Sequence, residues 1–538
     1  MARAQARPDA GQTLESLRPA PALPGTQVSP LPRSDQRPAL DADAGQRIPL
    51  REIHVTGARV FPAVELEALL RDAVGKEVSI AELSALAARI TAHYRTHGYL
   101  LSRAYVPAQE IREGRVEIAV LEGSIAQVRV DNATRLSDGV AQSHVAGLRD
   151  PARAAQVGVV ERSLLLLNDL PGVVVSSMLK PGAEVGSADL DLSLRPRALF
   201  SGSLDLDNTG NRYTGEYRAG ANLNLNNGAG LGDLANLRLI DTGPGMQYAR
   251  AGWQLPLGGD GLKLGAAYST LRYRLGRDFE TLGAHGNARV AGLWATYPME
   301  RSQARNLSLQ LSYDQKRLED LVDATASDSR KTLRVWTLGL AGDASDSLGG
   351  GGASVYSLGI VSGRLGLDDT SHALDQGAVG LRTAGGYGKL SFNLMRLQAL
   401  TRDISLYAAL SGQAAAKNLD SSEKLSLGGA YGVRAYPQGE AAGDDAAILN
   451  LELRYTLAGT GEMQMLSFVD AGAARTSHDA PPADGNNRRH LRGAGVGLQW
   501  QRSASFAFKA YLAWREGARP QSDSDRNPRL WLAFSTFF

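Results

Sequence analysis

From about residue 198 to Phe538, apolar and polar side chains alternate with a period of two. They do so in segments of about 10–16 residues divided by Gly, Asp and Asn turns. Tyr217, Ala219, Ala221, Leu223 and Leu225 alternate with Arg218, Gly220, Asn222, Asn224 and Asn226. Leu307, Leu309, Leu311 and Tyr313 alternate with Ser308, Gln310 and Ser312, and Ala494, Val496, Leu498 and Trp500 with Gly495, Gly497 and Gln499. A period of two marks a strand with two unlike faces. About sixteen such segments can be counted. Long strands in even number, greasy on one side and rich in Arg, Asn and Gln on the other, fit an antiparallel transmembrane barrel with a wet lumen. Closure follows from the same physics, because an open sheet edge would leave backbone N–H and C=O groups unpaired in hydrocarbon. A soluble sandwich would show shorter strands and a bulkier inner face. A β-solenoid would show a fixed period, which is missing. Tyr455, Trp500 and Trp514, near segment ends, suit interfacial girdles.

The part before the barrel reads differently. Residues 1–18 hold a short helix near Asp9 to Leu17, with Leu14 and Leu17 on one side. Residues 19–47 are a Pro-rich linker, whose composition alone would also suit a disordered tail. Extended as polyproline, it could reach ~90 Å at ~3.1 Å per residue. Residues 48–123 alternate as a strand around Ile53 and Val55, then carry a helix from Pro62 with Leu66, Leu69 and Leu70. A second helix follows, opened by a Ser79/Glu82 capping box and closed at Gly98, and then two strands, Leu100 to Val106 and Arg115 to Leu121. The β-α-α-β-β order recurs over 124–197. There the spacing predicts a strand at Val128 to Val130, a helix near Ala154 to Asp169 and strands at Val173 to Leu179 and Ala188 to Arg195. Two tandem copies of a small module point to binding rather than catalysis.

Composition excludes several functions. The 538 residues carry a net charge of +2, which gives no basis for nucleic-acid binding, and there is no Cys for disulfides, thiol chemistry or metal. No apolar run is long enough for a transmembrane helix, and the first residues lack the apolar core of a signal peptide. With a barrel in the chain, the sequence is therefore expected to be a mature form. His93 and His97 have metal-like spacing but no completing ligand, and read as surface residues. Gly493 to Gly497 lies within a strand with no helix after it, so it is no nucleotide loop. No catalytic constellation and no cofactor is expected.

Two features remain. The Gly-rich stretch after Leu427, with Arg434 between apolar and aromatic neighbours, reads as a long shaped loop, about 416–446, followed by a strand. In that strand Leu449, Leu451, Leu453 and Tyr455 take one face and Asn450, Glu452, Arg454 and Thr456 the other. Asp470 lies mid-strand in Phe468-Val469-Asp470-Ala471-Gly472. Facing lipid, its charge would be costly. Facing the lumen, it would either be hydrated on a polar wall or paired, with Arg434 the candidate.

Leu427-Gly428-Gly429, Val433-Arg434-Ala435-Tyr436, Gly439-Glu440 and Gly443-Asp444 resemble the sixth-loop signature of two-partner secretion transporters, the export pores for haemagglutinins and haemolysins. Ala435 departs from the family's usual Gly, which bears on the local backbone geometry. Phe468, Asp470 and Gly472 match the family strand motif whose Asp pairs with the loop Arg. Asp207-Asn208-Thr209-Gly210 with Thr214-Gly215 resembles its first barrel hairpin, and Val106 to Gln109 with Val120 to Gly123 the end of its first periplasmic module. The ending Leu530, Leu532, Phe534 and Phe538 resembles the C-terminal assembly signal of bacterial outer-membrane proteins. The resemblance implies a mainly β fold with a small α+β part: a plug helix (1–18), the linker, POTRA modules at 48–123 and 124–197, and a sixteen-stranded barrel at 198–538. It further implies an outer-membrane site, insertion by the outer-membrane assembly machinery, POTRA modules in the periplasm, and no nucleotide. The implied partner is one large secreted β-helical exoprotein, passed in unfolded form. A barrel-assembly factor and a diffusion porin remain alternatives.

Overall fold

The computed structural model describes residues 7–17, 47–99, 101–149, 154–457, 462–480, 487–502 and 505–538. The linker expected at 19–47 lies outside the described residues except for Arg47, which belongs to a strand.

The alternating C-terminal part closes into a barrel. Sixteen strands pair in chain order, from Phe200–Asp207 to Arg529–Phe537, and the last pairs with the first. All these pairings are antiparallel, and the middle strands are the longest, reaching 20 residues at Ser327–Asp346. The alternation decides which side faces in. Leu271, Tyr273, Ala288, Leu318, Leu333 and Val335 are buried toward the interior, while Tyr268, Leu293, Leu311, Trp336 and Leu338 are exposed on the outer wall. No helix among the described residues is long and apolar enough to cross a membrane. Tyr455, Trp500 and Trp514 stand exposed near strand ends, as a girdle requires.

Two small modules precede the barrel. In the first, Arg115–Leu121 lies between Glu52–Thr56, to which it is parallel, and Arg103–Tyr105, to which it is antiparallel. Helices Ala63–Ala68 and Ile80–Thr96 cover this sheet and bury Leu66, Leu83, Leu86, Ile90 and Tyr94. Both bonds of the Ser79/Glu82 capping box are present. Glu122 accepts from the Tyr94 hydroxyl at 2.8 Å and from the Arg59 and Val60 amides. Burial, reinforced by this carboxylate, pushes the Tyr94 phenol well above its ordinary range.

The second module repeats the topology. Ser187–Pro196 is central, parallel to Ser124–Asn132 and antiparallel to Val173–Pro181. Its second helix is Val157–Asn168, which starts three residues later than the pattern from Ala154 suggests. Its first helix, Asp138–Val145, has no counterpart in the sequence pattern. It is only eight residues long, with polar residues between its buried Ala141, His144 and Val145, so periodicity gives it little signal. A two-stranded ribbon, Arg47–Pro49 with Glu77–Ser79, is likewise too short to read from alternation.

The second module seats against the short turns at one end of the barrel. Asp169, at the end of helix Val157–Asn168, holds Arg301 through two bonds of 2.7 and 2.8 Å, and Arg162 donates to the Pro298 carbonyl at 2.7 Å. A Cβ on Gly259 of the second turn would lie 2.1 Å from the Ser143 carbonyl oxygen, so only glycine permits this approach.

Candidate functional site

The loop between the eleventh strand, Ile404–Ala415, and the twelfth, Asp445–Thr456, folds back into the lumen. Val433, Ala435 and Tyr436 are buried with Ile448, Leu466, Phe468, Leu491 and Ala513 of the wall, forming an apolar cluster where a barrel of this kind would hold water. Burial brings the loop arginine against its carboxylates. Arg434 Nε donates to Asp470 Oδ2 at 2.9 Å, Nη2 to Oδ1 at 2.7 Å, and the Arg434 backbone N–H to Oδ2 at 3.0 Å. Its remaining arm donates to Glu452 Oε1 at 2.6 Å. The guanidinium lies 3.5 Å from the centre of the Phe468 ring, so one face is covered by an aromatic quadrupole. Asn450 Nδ2 joins Asp470 Oδ1 to the Gly432 carbonyl, and Trp531 Nε1 donates to the Arg434 carbonyl at 2.7 Å. Arg434 is 3% exposed and Asp470 0%, so the pair is desolvated but fully hydrogen-bonded, the condition under which a buried ion pair is tolerated.

The other loop residues hold its ends. Tyr436 Oη donates to the Ala518 carbonyl at 3.0 Å. Glu440, fully buried, accepts from the Gln521 and Ser522 amides, the Ser522 hydroxyl and Arg489, tying the loop to the turn before the last strand. Gly439 occupies a left-handed conformation at φ 86°. Ala435 is not among the residues with positive φ, so this backbone does not require the glycine usual in the family. Its methyl has a cost elsewhere: a Cβ on the facing Gly493 would sit 2.4 Å from it. Gly472 lies under Val433. Phe534 is on the outer face of the last strand, and Phe538 exchanges backbone bonds with Gly202 at the seam.

Helix Ala10–Glu15 lies inside the barrel, against the strands that contain Leu271, Ala288 and Asp320. The Ala10 amide donates to Asp320 Oδ1 at 2.8 Å, and Arg238 donates to the Leu17 carbonyl at 3.1 Å. The base of the inward loop completes the seat. Ser421 Oγ donates to Asp9 at 2.6 Å, and Lys331 bridges Asp9 and Asp420. Nearby Lys316 and Lys389 hold the two oxygens of Glu423 at 2.6 and 2.9 Å. A cavity of about 960 Å³ remains beside the helix, lined by Gln12, Ser16, Asn211, Lys424 and Gln521 and also by Leu367, Leu374, Val379 and Leu419.

Of the residues expected to matter, the structure brings Val433, Arg434, Ala435, Tyr436, Phe468, Asp470 and Gly472 into one cluster, sets Gly439 and Glu440 beside it, and leaves Phe534 and Phe538 apart. Alternation puts Glu452 and Asn450 on the polar face of their strand but does not single them out as partners. Trp531 and the lysine–carboxylate seat give no signal in the sequence, because each depends on register between distant strands. His93 and His97 lie with ring centres 4.4 Å apart and planes tilted by 45° beside Phe61, with Glu65 3.3 Å from His93. Among the described residues no group of His, Asp and Glu is placed to hold a metal.

A closed sixteen-stranded barrel, with its own N-terminal helix inside and two tandem modules before it, the second seated on one rim, has the architecture of an outer-membrane protein-transport pore. The sequence model of the haemolysin secretion/activation protein ShlB/FhaC/HecB family matches residues 186–500, more than half of the chain, and that of the ShlB-type POTRA domain matches residues 48–123. The chain belongs to this family, and is an outer-membrane transporter of the two-partner secretion type with its modules in the periplasm. It is 28% identical over 474 residues to the heme/hemopexin transporter protein HuxB of Haemophilus influenzae (strain 86-028NP), covering 87% of this chain and 83% of that protein. It is 25% identical to the outer membrane transporter CdiB of Dickeya dadantii (strain 3937), covering 79% and 75%. Among solved structures, CdiB from Escherichia coli superposes with a TM-score of 0.75 at 21% identity, covering 94% of both chains. BamA from Haemophilus ducreyi lacking POTRA domains 1–3 gives 0.51 at 14% identity, covering 92% of this chain and 100% of that one, a likeness of fold alone. Transporters of this family serve secreted exoprotein partners.

Proposed function

We propose that the chain exports one large exoprotein, rich in β-helical repeats, as an unfolded strand, and does so without nucleotide hydrolysis. The observation that carries this reading is the pairing of a lumen closed by a separate helix rather than by the wall with two tandem modules, the second of them docked at the periplasmic rim. A sixteen-stranded barrel is wide enough for an extended chain once its contents move, and too narrow for a folded domain. Each module has a three-stranded sheet with two outer strands, which suits capture of an extended segment by strand addition. The partner then enters as the plug helix leaves, and its folding outside the cell biases the direction. Arg434, held by Asp470 and Glu452, keeps the inward loop fixed to one wall so that the opposite side can clear. Phe534 and Phe538 form the signal read by the outer-membrane assembly machinery on insertion.

The test is deletion of residues 48–197. The barrel should still insert, seen as heat-modifiable mobility, while secretion of the partner is abolished. Normal secretion would refute the reading. Loss of many outer-membrane proteins on depletion, instead of one exported partner, would identify an assembly factor.

A further inference from the structure

The outer wall of the barrel carries arginines where a lipid-facing wall should carry none. On strands five to nine the exposed face runs through Tyr268, Leu293, Leu311, Trp336 and Ile360, and then changes abruptly. The next exposed positions toward the extracellular end include Arg272, Arg289, Arg317, Arg334 and Arg364. Their immediate neighbours Leu271, Ala288, Leu318, Leu333, Val335 and Leu365 are buried toward the interior, so alternation fixes the arginines on the outside. From Tyr297 to Arg289 the sixth strand climbs about 20 Å, at ~3.4 Å per residue and a tilt of ~40°. That is close to the full height of an apolar band, so the arginines emerge at the level of the outer-leaflet headgroups.

Their mutual placement is unfavourable in isolation. Arg289 is directly opposite Arg317 across one strand pair, and Arg334 is directly opposite Arg364 across another. Like charges in register repel. The nearby Glu319 is taken by Arg330, which also holds Asp328, and Asn287 donates to Glu319. Among the described residues, Arg272, Arg289, Arg317, Arg334 and Arg364 have no carboxylate partner. Beside the first pair, a groove of about 470 Å³ is lined by Gln247, Thr270, Arg272, Arg274, Asn287 and Arg289; the Gln247 and Asn287 amides donate to Asp241 and Glu319, which leaves the arginines as its cationic donors. Guanidinium pairs are matched to phosphate oxygens, which accept two parallel N–H bonds from each arginine. We propose that this face binds the phosphorylated headgroup of an outer-leaflet glycolipid, with the phosphates between the opposed arginines and the acyl chains against Leu293, Trp336 and Ile360. Continuity with the apolar band favours a lipid over a soluble anion, because the arginines stand directly above the surface on which lipid tails lie.

The test uses the full-length protein in nanodiscs of phosphatidylethanolamine with added bisphosphorylated lipid A, and counts retained lipid A by native mass spectrometry. The variant R289Q/R317Q/R334Q/R364Q should bind lipid A about tenfold or more weakly, while the fourfold Arg→Lys variant, which keeps charge but not the fork, falls between it and the wild type. Heat-modifiable mobility reports that each variant barrel is folded. If the Gln variant does not insert, the wild type decides the matter alone: lipid A stripped of its phosphates should be retained no better than phosphatidylethanolamine. Equal retention of lipid A by the folded Gln variant, equal retention of the dephosphorylated lipid, or displacement of lipid A by millimolar inorganic phosphate would each overturn the proposal. None of these readouts depends on the exported partner, so they are separate from the test of export.

Discussion

At the scale of single residues, the site is one buried cation shared by two carboxylates. Removing one member of a fully buried pair leaves the other charge uncompensated, which costs on the order of 3–5 kcal/mol. Since Arg434 binds Asp470 through three bonds, R434A and D470A should impair export to the same degree, and the double variant should be little worse than either. Additive losses in a secretion assay would show that the two act separately. Glu452 shares its charge with Arg454 at 2.6 Å, so it is the less exclusive partner. A second residue-level expectation concerns Ala435. Its methyl fills the space that Gly493 leaves, so G493A should loosen the loop, and A435G added to it should restore protease resistance. Restoration failing while the barrel stays folded would mean that Gly493 is needed for its own strand. Arg434 and Asp470 are legible in the sequence one by one; alternation leaves their pairing as one of two outcomes for Asp470, because a strand's face is readable whereas its register with a distant loop is not, and the family resemblance is what names the partner. The amide of Asn450 and the indole of Trp531 escape for the same reason.

At the scale of elements, the barrel strands are legible almost throughout, since a period of two sustained over ten or more residues fits neither a helix nor a loop. The helices are legible according to length and capping. The helix Ile80–Thr96 announces itself through its Ser79/Glu82 box, while Asp138–Val145 is too short to show a face. The plug helix is readable as a helix from its residues, and its place in the lumen only from the family resemblance. Its six residues could not stand alone in water. They persist because Asp9 caps the helix by accepting from the Gln12 amide, and because wall and loop supply the Asp320, Lys331 and Ser421 contacts. At Gly11 a Cβ would meet the Ser422 backbone nitrogen at 2.7 Å, so a side chain there pushes the helix off the loop base. G11V should therefore raise the single-channel conductance or open time in planar bilayers, with strand content unchanged in circular dichroism. Wild-type conductance in G11V would show that the helix does not seal the pore from this seat. K331M should act in the same direction but more weakly, since Asp9 keeps its bonds to Ser421 and Gln12.

At the scale of the whole molecule, the parts are joined at two places whose chemistry differs. Inside the lumen the plug and loop are held by side chains that can trade partners: Lys331 can keep Asp420 when Asp9 leaves. At the periplasmic rim the joint is of a more rigid kind, a two-bond pair between Asp169 and Arg301, backed by a glycine that lets the turn touch the module. On the export function proposed above, movement belongs to the contents of the pore and fixity to the second module at its rim. It follows that export should depend on the ion pair at the rim joint. D169N and R301Q each remove half of a partly buried pair, with Arg301 9% exposed, and should lower secretion while the barrel still inserts. The exchange D169R/R301D restores opposite charges at the same two positions. Arg301 also donates to the Asn306 side chain at 2.8 Å and to the Ser302 carbonyl at 3.1 Å, bonds that an aspartate cannot make. The exchange should thus recover part of the lost secretion, and protease protection of the segment around helix Val157–Asn168 should recover with it. Full secretion by D169N, measured alongside increased cleavage near that helix, would show that the module works when free to swing, and would move the fixed element of the mechanism elsewhere.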